Sequence, residues 1–230
     1  MFLNEFLRRA SKIIFEYVEP ITYLKKRGIE EADIRKYGLG YVRLASVKED
    51  GSEDYRALSE STYNFRLWQN KILFPIKNIL GVAHGVCTRD LEKKRYVQYF
   101  LSEAKKIGAF FGLFEALPYI RKTKKVFVHE GAINSISFAK VFPNSISSLT
   151  SFLNEQQFET LSFICGKIIL VYDGDKAGYI GIDKTIKLYG DRFIDHVNLG
   201  SDDSNVYLQM LGLSRFESYV RSKVPIYLQK

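Results

Sequence analysis

The sequence predicts an α/β protein: a parallel sheet flanked by helices, preceded by a mixed α+β N-terminal part. Three observations predict it. "KVFVHEG", "KIILVYDGD" and "RFIDHVNL" are short apolar runs separated by helix-length stretches, the rhythm of parallel strands joined by crossover helices. "IILVY" is almost continuously apolar, as a central strand covered on both faces must be. Before about residue 121 the rhythm differs, with short helices followed by strands at hairpin spacing. The boundary between the two parts is therefore placed there, giving units 1–121 and 122–230.

In chain order, Phe2, Phe6, Ile13, Ile14 and Val18 space an amphipathic helix from about Leu3 to Val18. "PITYLKKRG" and "EEADIRKYG" are helices closed by glycine. "LGYVRLASV" is a strand followed by the polar loop "KEDGSED", and "KILFPIK", "VAHGVCT" and "RYVQYF" form an antiparallel patch. "AFFGLFEALPYIRKTKK" receives no assignment. After it come strand "KVFVHEG", helix "AINSISFAKVF", strand "SISSL", helix "NEQQFETLSFI", strand "KIILVYDGD", helix "KAGYIGIDKTIKLYG" and strand "RFIDHVNL". "SDDSNVYLQMLGLSRFESYVRSK" is predicted as a helix.

With 230 residues, 46% of them apolar, the chain can bury a core without staples, which excludes a disordered segment. No apolar run approaches the roughly 20 residues of a membrane span, and the N-terminal stretch is amphipathic instead of a signal peptide. Cys87 and Cys165 are too few for a disulfide framework or a zinc ribbon. The expected location is the cytoplasm. A net charge of +8 points to a polyanionic partner.

Glu130, the pair Asp173 and Asp175, and Asp203 beside Asp202 each follow a predicted strand. Open α/β sheets bind ligands at the carboxyl ends of their strands, so these acids can share one rim. Carboxylates gathered there repel unless a cation answers them, and Mg²⁺ or Mn²⁺ on such a rim is the arrangement of phosphoryl-transfer sites. An EF-hand is excluded because Lys184 stands where its last ligand belongs, and a Walker-B site because no phosphate-binding loop precedes it. His129 abuts Glu130, but strand alternation turns it to the other face, so its expected role is structural.

"FVHEGAINSISFAK", "VYDGDKAG" and "DDSNVYL" resemble the three signature segments of the TOPRIM fold. "TYLKKRGIEEADIRKYGLGYV", "KILFPIKNILGVAHGVCTRDL" and "KKIGAFFGLFEA" resemble, in order, segments of the catalytic core of bacterial DnaG-type DNA primases. The resemblance runs from about Thr22 to Leu208. It implies a TOPRIM-type parallel sheet and a DNA-dependent RNA polymerase that lays short primers on a single-stranded DNA template from ribonucleoside triphosphates. It also implies Glu130, Asp173, Asp175 and Asp203 as acids holding Mg²⁺ or Mn²⁺, with Glu130, Asp173 and Asp175 catalytic. Arg89, Lys106 and Lys71 fall on its basic positions, and with Lys77, Arg95 and Lys176 they are the candidate nucleotide- and template-binding residues.

The sequence departs from that pattern at Asn134 and Asn205, where the family has aspartates, at Gln98, where it has asparagine, and at Thr150, where it has glycine. Two lost carboxylates lead to the expectation of a less negative site with weaker metal affinity. The family's zinc module and helicase-docking domain have no counterpart among these segments. A replicative helicase and a separate zinc-bearing template-recognition module are thus expected as partners. The competing readings are a TOPRIM nuclease using the same acids, and a nucleic-acid-binding replication protein that has lost its chemistry.

Overall fold

The computed structural model describes residues 2–42, 68–91, 95–100 and 108–229. Two four-stranded sheets follow one another along the chain. The first part comprises α1 (Phe2–Ile13), a 3-10 turn (Ile14–Glu16), α2 (Val18–Lys26) and α3 (Glu31–Tyr37). It continues with an antiparallel sheet of β1 (Gly40–Val42), β2 (Lys71–Lys77), β3 (Ala83–Asp90) and β4 (Tyr96–Phe100), in that spatial order.

Helix α1 lays Leu3, Phe6, Leu7 and Ala10, spaced on one helical stripe, onto Val42, Trp68, Leu73 and Val86 on one face of this sheet. Ile72, Phe74 and Ile76 alternate to the other face, where they pack with Leu24, Ile34 and Tyr37 and also with Phe111, Ile133 and Ile136. One apolar cluster therefore joins the two parts.

The second part contains α4 (Leu113–Thr123), β5 (Lys125–His129), α5 (Ala132–Ala139), β6 (Ser145–Ser147), α6 (Glu155–Ile164) and β7 (Lys167–Leu170). After these come α7 (Lys176–Tyr189), β8 (Ile194–His196), α8 (Ser204–Lys223) and α9 (Ile226–Gln229). All strand pairs are parallel, in the order β6-β5-β7-β8. Val126, Val128, Ile168 and Leu170 pack with Ile120, Leu161 and Ile182 on one face. Phe127 and Ile169 pack with Phe138, Phe216 and Val220 on the other. Each such side chain, fully buried, contributes roughly 1.5–3 kcal/mol. The expected sheet, covered on both faces, is the one observed.

Two local expectations are corrected, and one stretch without an expectation proves helical. The first helix does not reach Val18: Tyr17 is extended, with φ −117° and ψ 131°, and a new helix starts after it. Pro20 lies in the first turn of that helix, where its missing N–H costs nothing. The unassigned stretch contains α4, whose pattern is interrupted by Pro118. The long C-terminal helix breaks at Gly212, with φ 69° and ψ 165°, a conformation that glycine adopts without strain. Of the strand expected at "LGYVRLASV", only its start lies within the described residues. Among the described residues, no helix is long and apolar enough to cross a membrane.

Candidate active site

The strand order creates the site. From β5 the chain crosses to β6 on one side, then returns past β5 to β7 on the other. The loops leaving β5 and β7 therefore diverge, and the crevice between them is where open α/β sheets bind ligands. Glu130 leaves β5 on this crevice, and Asp173 follows β7.

Close backbone contact brings in the third acid. A Cβ on Gly174 would stand 1.7 Å from the Gly200 carbonyl oxygen, so only glycine lets the loop carrying Asp173 and Asp175 rest on the loop that leads to Asp203. At Gly178 a Cβ would stand 2.0 Å from the Asp173 carbonyl oxygen, so α7 begins directly against this turn. Asp175 caps α7, accepting from the Gly178 N–H at 2.8 Å, and Asp203 caps α8, accepting from Val206 N–H at 2.8 Å. Both acids thus sit at positive helix ends.

The carboxyls on this crevice feel one another's charge. Burial, then the negative charges of Asp173 and Asp175, push the Glu130 carboxyl up to about 7. Burial, then Asp203 and Asp175, push Asp173 up to about 6, against the pull of a hydrogen bond from Asn134. The Oε1 oxygen of Glu130 is buried with no hydrogen-bond partner among the described residues. Among those residues no three His, Cys, Asp or Glu side chains already stand together at ligand spacing. The acids at these loops are hard-oxygen donors, the ligand type that Mg²⁺ and Mn²⁺ take.

The two asparagines diverge in role. Asn134 uses its amide as a donor, Nδ2 to Asp173 Oδ1 at 3.0 Å, so it steadies a carboxylate where an aspartate would repel it. Asn205 is fully buried. It donates to the Arg27 carbonyl oxygen at 2.7 Å and to Ser137 Oγ at 2.8 Å, and it accepts from Arg27 at 3.1 Å and Gln209 at 2.8 Å. As placed, it ties α2 to α5 and α8 and is spent on packing.

The basic candidates scatter. Arg89 is buried, donates from Nε to Tyr23 Oη at 3.0 Å, and stacks over Tyr96 with 4.2 Å to the ring centroid. Lys77 is committed elsewhere: its ammonium lies 2.6 Å from Glu115 and donates to the Tyr37 carbonyl oxygen at 3.2 Å. Lys71 opens β2 opposite Asp90, while Arg95 and Lys176 are exposed. Lys106 lies outside the described residues. His129 is fully buried against Phe138, 4.8 Å between ring centroids, and burial holds it neutral with its pKa down to about 3. Tyr23 as the partner of Arg89, and Arg27 as that of Asn205, had no sequence signal, because both pairs join segments far apart in the chain.

Residues 127–208 match the family described as Toprim-like. The DNA primase of Lactococcus lactis is 28% identical over 210 residues, covering 83% of this chain and 33% of the relative, so the chain spans about a third of that protein's length. Among solved structures, the Aquifex aeolicus primase with its zinc-binding and RNA polymerase domains superposes with a TM-score of 0.75 at 22% identity, covering 95% of this chain and 60% of that one. A DnaG primase catalytic domain bound to single-stranded DNA superposes with a TM-score of 0.71 at 20% identity, covering 97% and 79%.

Proposed function

Starting from a fold shared with DnaG-type catalytic cores and a TOPRIM sheet, we propose that this chain is the catalytic core of a DNA primase, a nucleotidyltransferase that makes short RNA primers on single-stranded DNA. The observation that supports the proposal is geometric: Glu130 and Asp173 follow β5 and β7, the Gly174–Gly200 contact rests the Asp173 turn on the loop before Asp203, and Oε1 of Glu130 is buried without a hydrogen-bond partner among the described residues. In this reading Asp173, Asp175 and Asp203, with Glu130 beside them, hold Mg²⁺ or Mn²⁺. Such a cation, when bound, supplies charge neutralisation at phosphate oxygens and acidifies an attacking hydroxyl.

The remaining work falls to the chain's own groups. Oε1 of Glu130 is the open acceptor for the proton of the attacking 3′-hydroxyl. Asn134 holds Asp173 in place. Arg89, held over the Tyr96 ring and fixed by Tyr23, is assigned the contact to triphosphate or template phosphate. Lys71, Arg95, Lys106 and Lys176 are the further candidates for phosphate contact, whereas Lys77 braces Glu115. In this reading the part built on the antiparallel sheet holds template and nucleotide, and the part built on the parallel sheet, which begins with α4 and so a few residues before the expected boundary at 121, holds the cation. The setting is the bacterial or phage-infected cytoplasm, with a replicative helicase and a separate zinc-bearing module as partners.

The test incubates the chain with single-stranded DNA, labelled ribonucleotides and Mg²⁺ or Mn²⁺, beside Asp173→Ala. Oligoribonucleotides made by the wild type and absent from the variant are expected. Shortened template would instead identify a nuclease. DNA binding without products, unchanged in the variant, would identify a protein that only binds.

A further inference from the structure

Gln98 lies on β4, opposite Cys87 and on the same sheet face as Arg89 and Tyr96. Its amide crosses to the second part of the molecule, with Nε2 donating to the Leu149 carbonyl oxygen at 2.7 Å. Leu149 follows β6 and holds φ at +58°, the left-handed region that a branched-chain residue avoids. Such a conformation persists only where its surroundings over-determine it. The surroundings are specific: the Leu149 N–H donates to Ser147 Oγ at 3.1 Å, and Ser147 Oγ donates in turn to the Glu130 carbonyl oxygen at 2.7 Å. The Leu149 side chain packs into the apolar cluster that joins the two parts. Three hydrogen bonds thus run without a gap from the basic sheet to the backbone of the acid with the open oxygen.

We propose that Gln98 is a positioning residue of the acidic rim: its amide holds Leu149 in the left-handed conformation and, through Ser147, fixes the backbone of Glu130 relative to the sheet that carries Arg89. This rests on the functional reading above for its purpose, but not for its geometry. Gln98 touches no reacting atom in this role. It sets the distance between the acids and the basic face, which a primer-forming site must hold constant while template and nucleotide change.

Hydrogen exchange on the metal-free chain tests the geometry independently of activity. Gln98→Glu keeps the shape and removes the donor, and Gln98→Met removes it without adding charge. Both are expected to speed exchange at Ser148, Leu149 and Thr150 about 3- to 10-fold, the effect of losing one hydrogen bond, with α1 unchanged. Combined with Ser147→Ala, the effects should be less than additive, because the two side chains act in one chain of bonds. Equal acceleration across the molecule, no acceleration, or simple additivity would overturn the proposal. In primer synthesis, kcat should fall several-fold with the nucleotide KM unchanged; a raised KM with unaltered exchange would make Gln98 a substrate contact instead. If the wild type makes no primers, the functional reading fails while the exchange result still decides the clamp.

Discussion

Replacing Glu130 with glutamine should stabilise the metal-free protein at pH 8 while abolishing the proposed primer synthesis. The Glu130 carboxyl sits at about 7 against an ordinary 4.5, raised by burial and then by its acidic neighbours. A raised carboxyl contributes stability that is fully present below about pH 4.5 and lost as pH climbs through 7, because the native state then holds an unwelcome charge. Over that gap, linkage gives roughly 3 kcal/mol. Solvent reaches part of this side chain and Asp173 titrates with it, so roughly 1–2 kcal/mol is the usable figure. For a chain of this size that corresponds to about 2–8 °C in Tm. Thermal melts in a chelator at pH 5 and pH 8 measure it: the gain of Glu130→Gln over wild type should be clear at pH 8 and small at pH 5. Adding Mg²⁺ or Mn²⁺ at pH 8 should raise the wild type and leave the variant behind. An equal gain at both pH values, or none, would refute the reasoning, because the penalty would not come from ionisation of this carboxyl.

Arg89→Ala should weaken binding to single-stranded DNA and lower the slope of log affinity against log salt by about one charge, measured by fluorescence anisotropy. Glu115→Ala leaves the Lys77 ammonium unpaired in a mostly buried position, and chemical denaturation should record a loss of about 3 kcal/mol. Gly178→Ala places a methyl 2.0 Å from the Asp173 carbonyl oxygen. Either α7 or the acidic turn must move, so a loss of metal affinity by calorimetry should accompany roughly 3 kcal/mol or more of destabilisation.

Much of the fold was legible because its strands are simple. β5 and β7 are buried on both faces, so nearly every position must be apolar, and β2, with Ile72, Phe74 and Ile76 on one face and Leu73 on the other, announces itself likewise. Helix α4 was not legible: Pro118 interrupts a short amphipathic pattern, and burial of Leu113, Ala116 and Ile120 against the parallel sheet is what holds it together. Lys77 illustrates the limit for the site. It is among the candidate nucleotide- and template-binding residues, but its charge is spent on Glu115, a residue 38 positions away with which no local pattern pairs it.

The chain alone determined that apolar runs end in acids, and that those acids lie at strand ends where a parallel sheet gathers its ligands. It did so through nearest-neighbour rules of alternation, turn chemistry and charge, which a one-dimensional string records in full. Only the folded molecule decided that Asn134 supports Asp173, that Asn205 serves packing, and that Gln98 reaches from one sheet to the other. Those roles depend on which distant backbone atoms come within hydrogen-bond distance, and strand order and loop contact, not local composition, fix that.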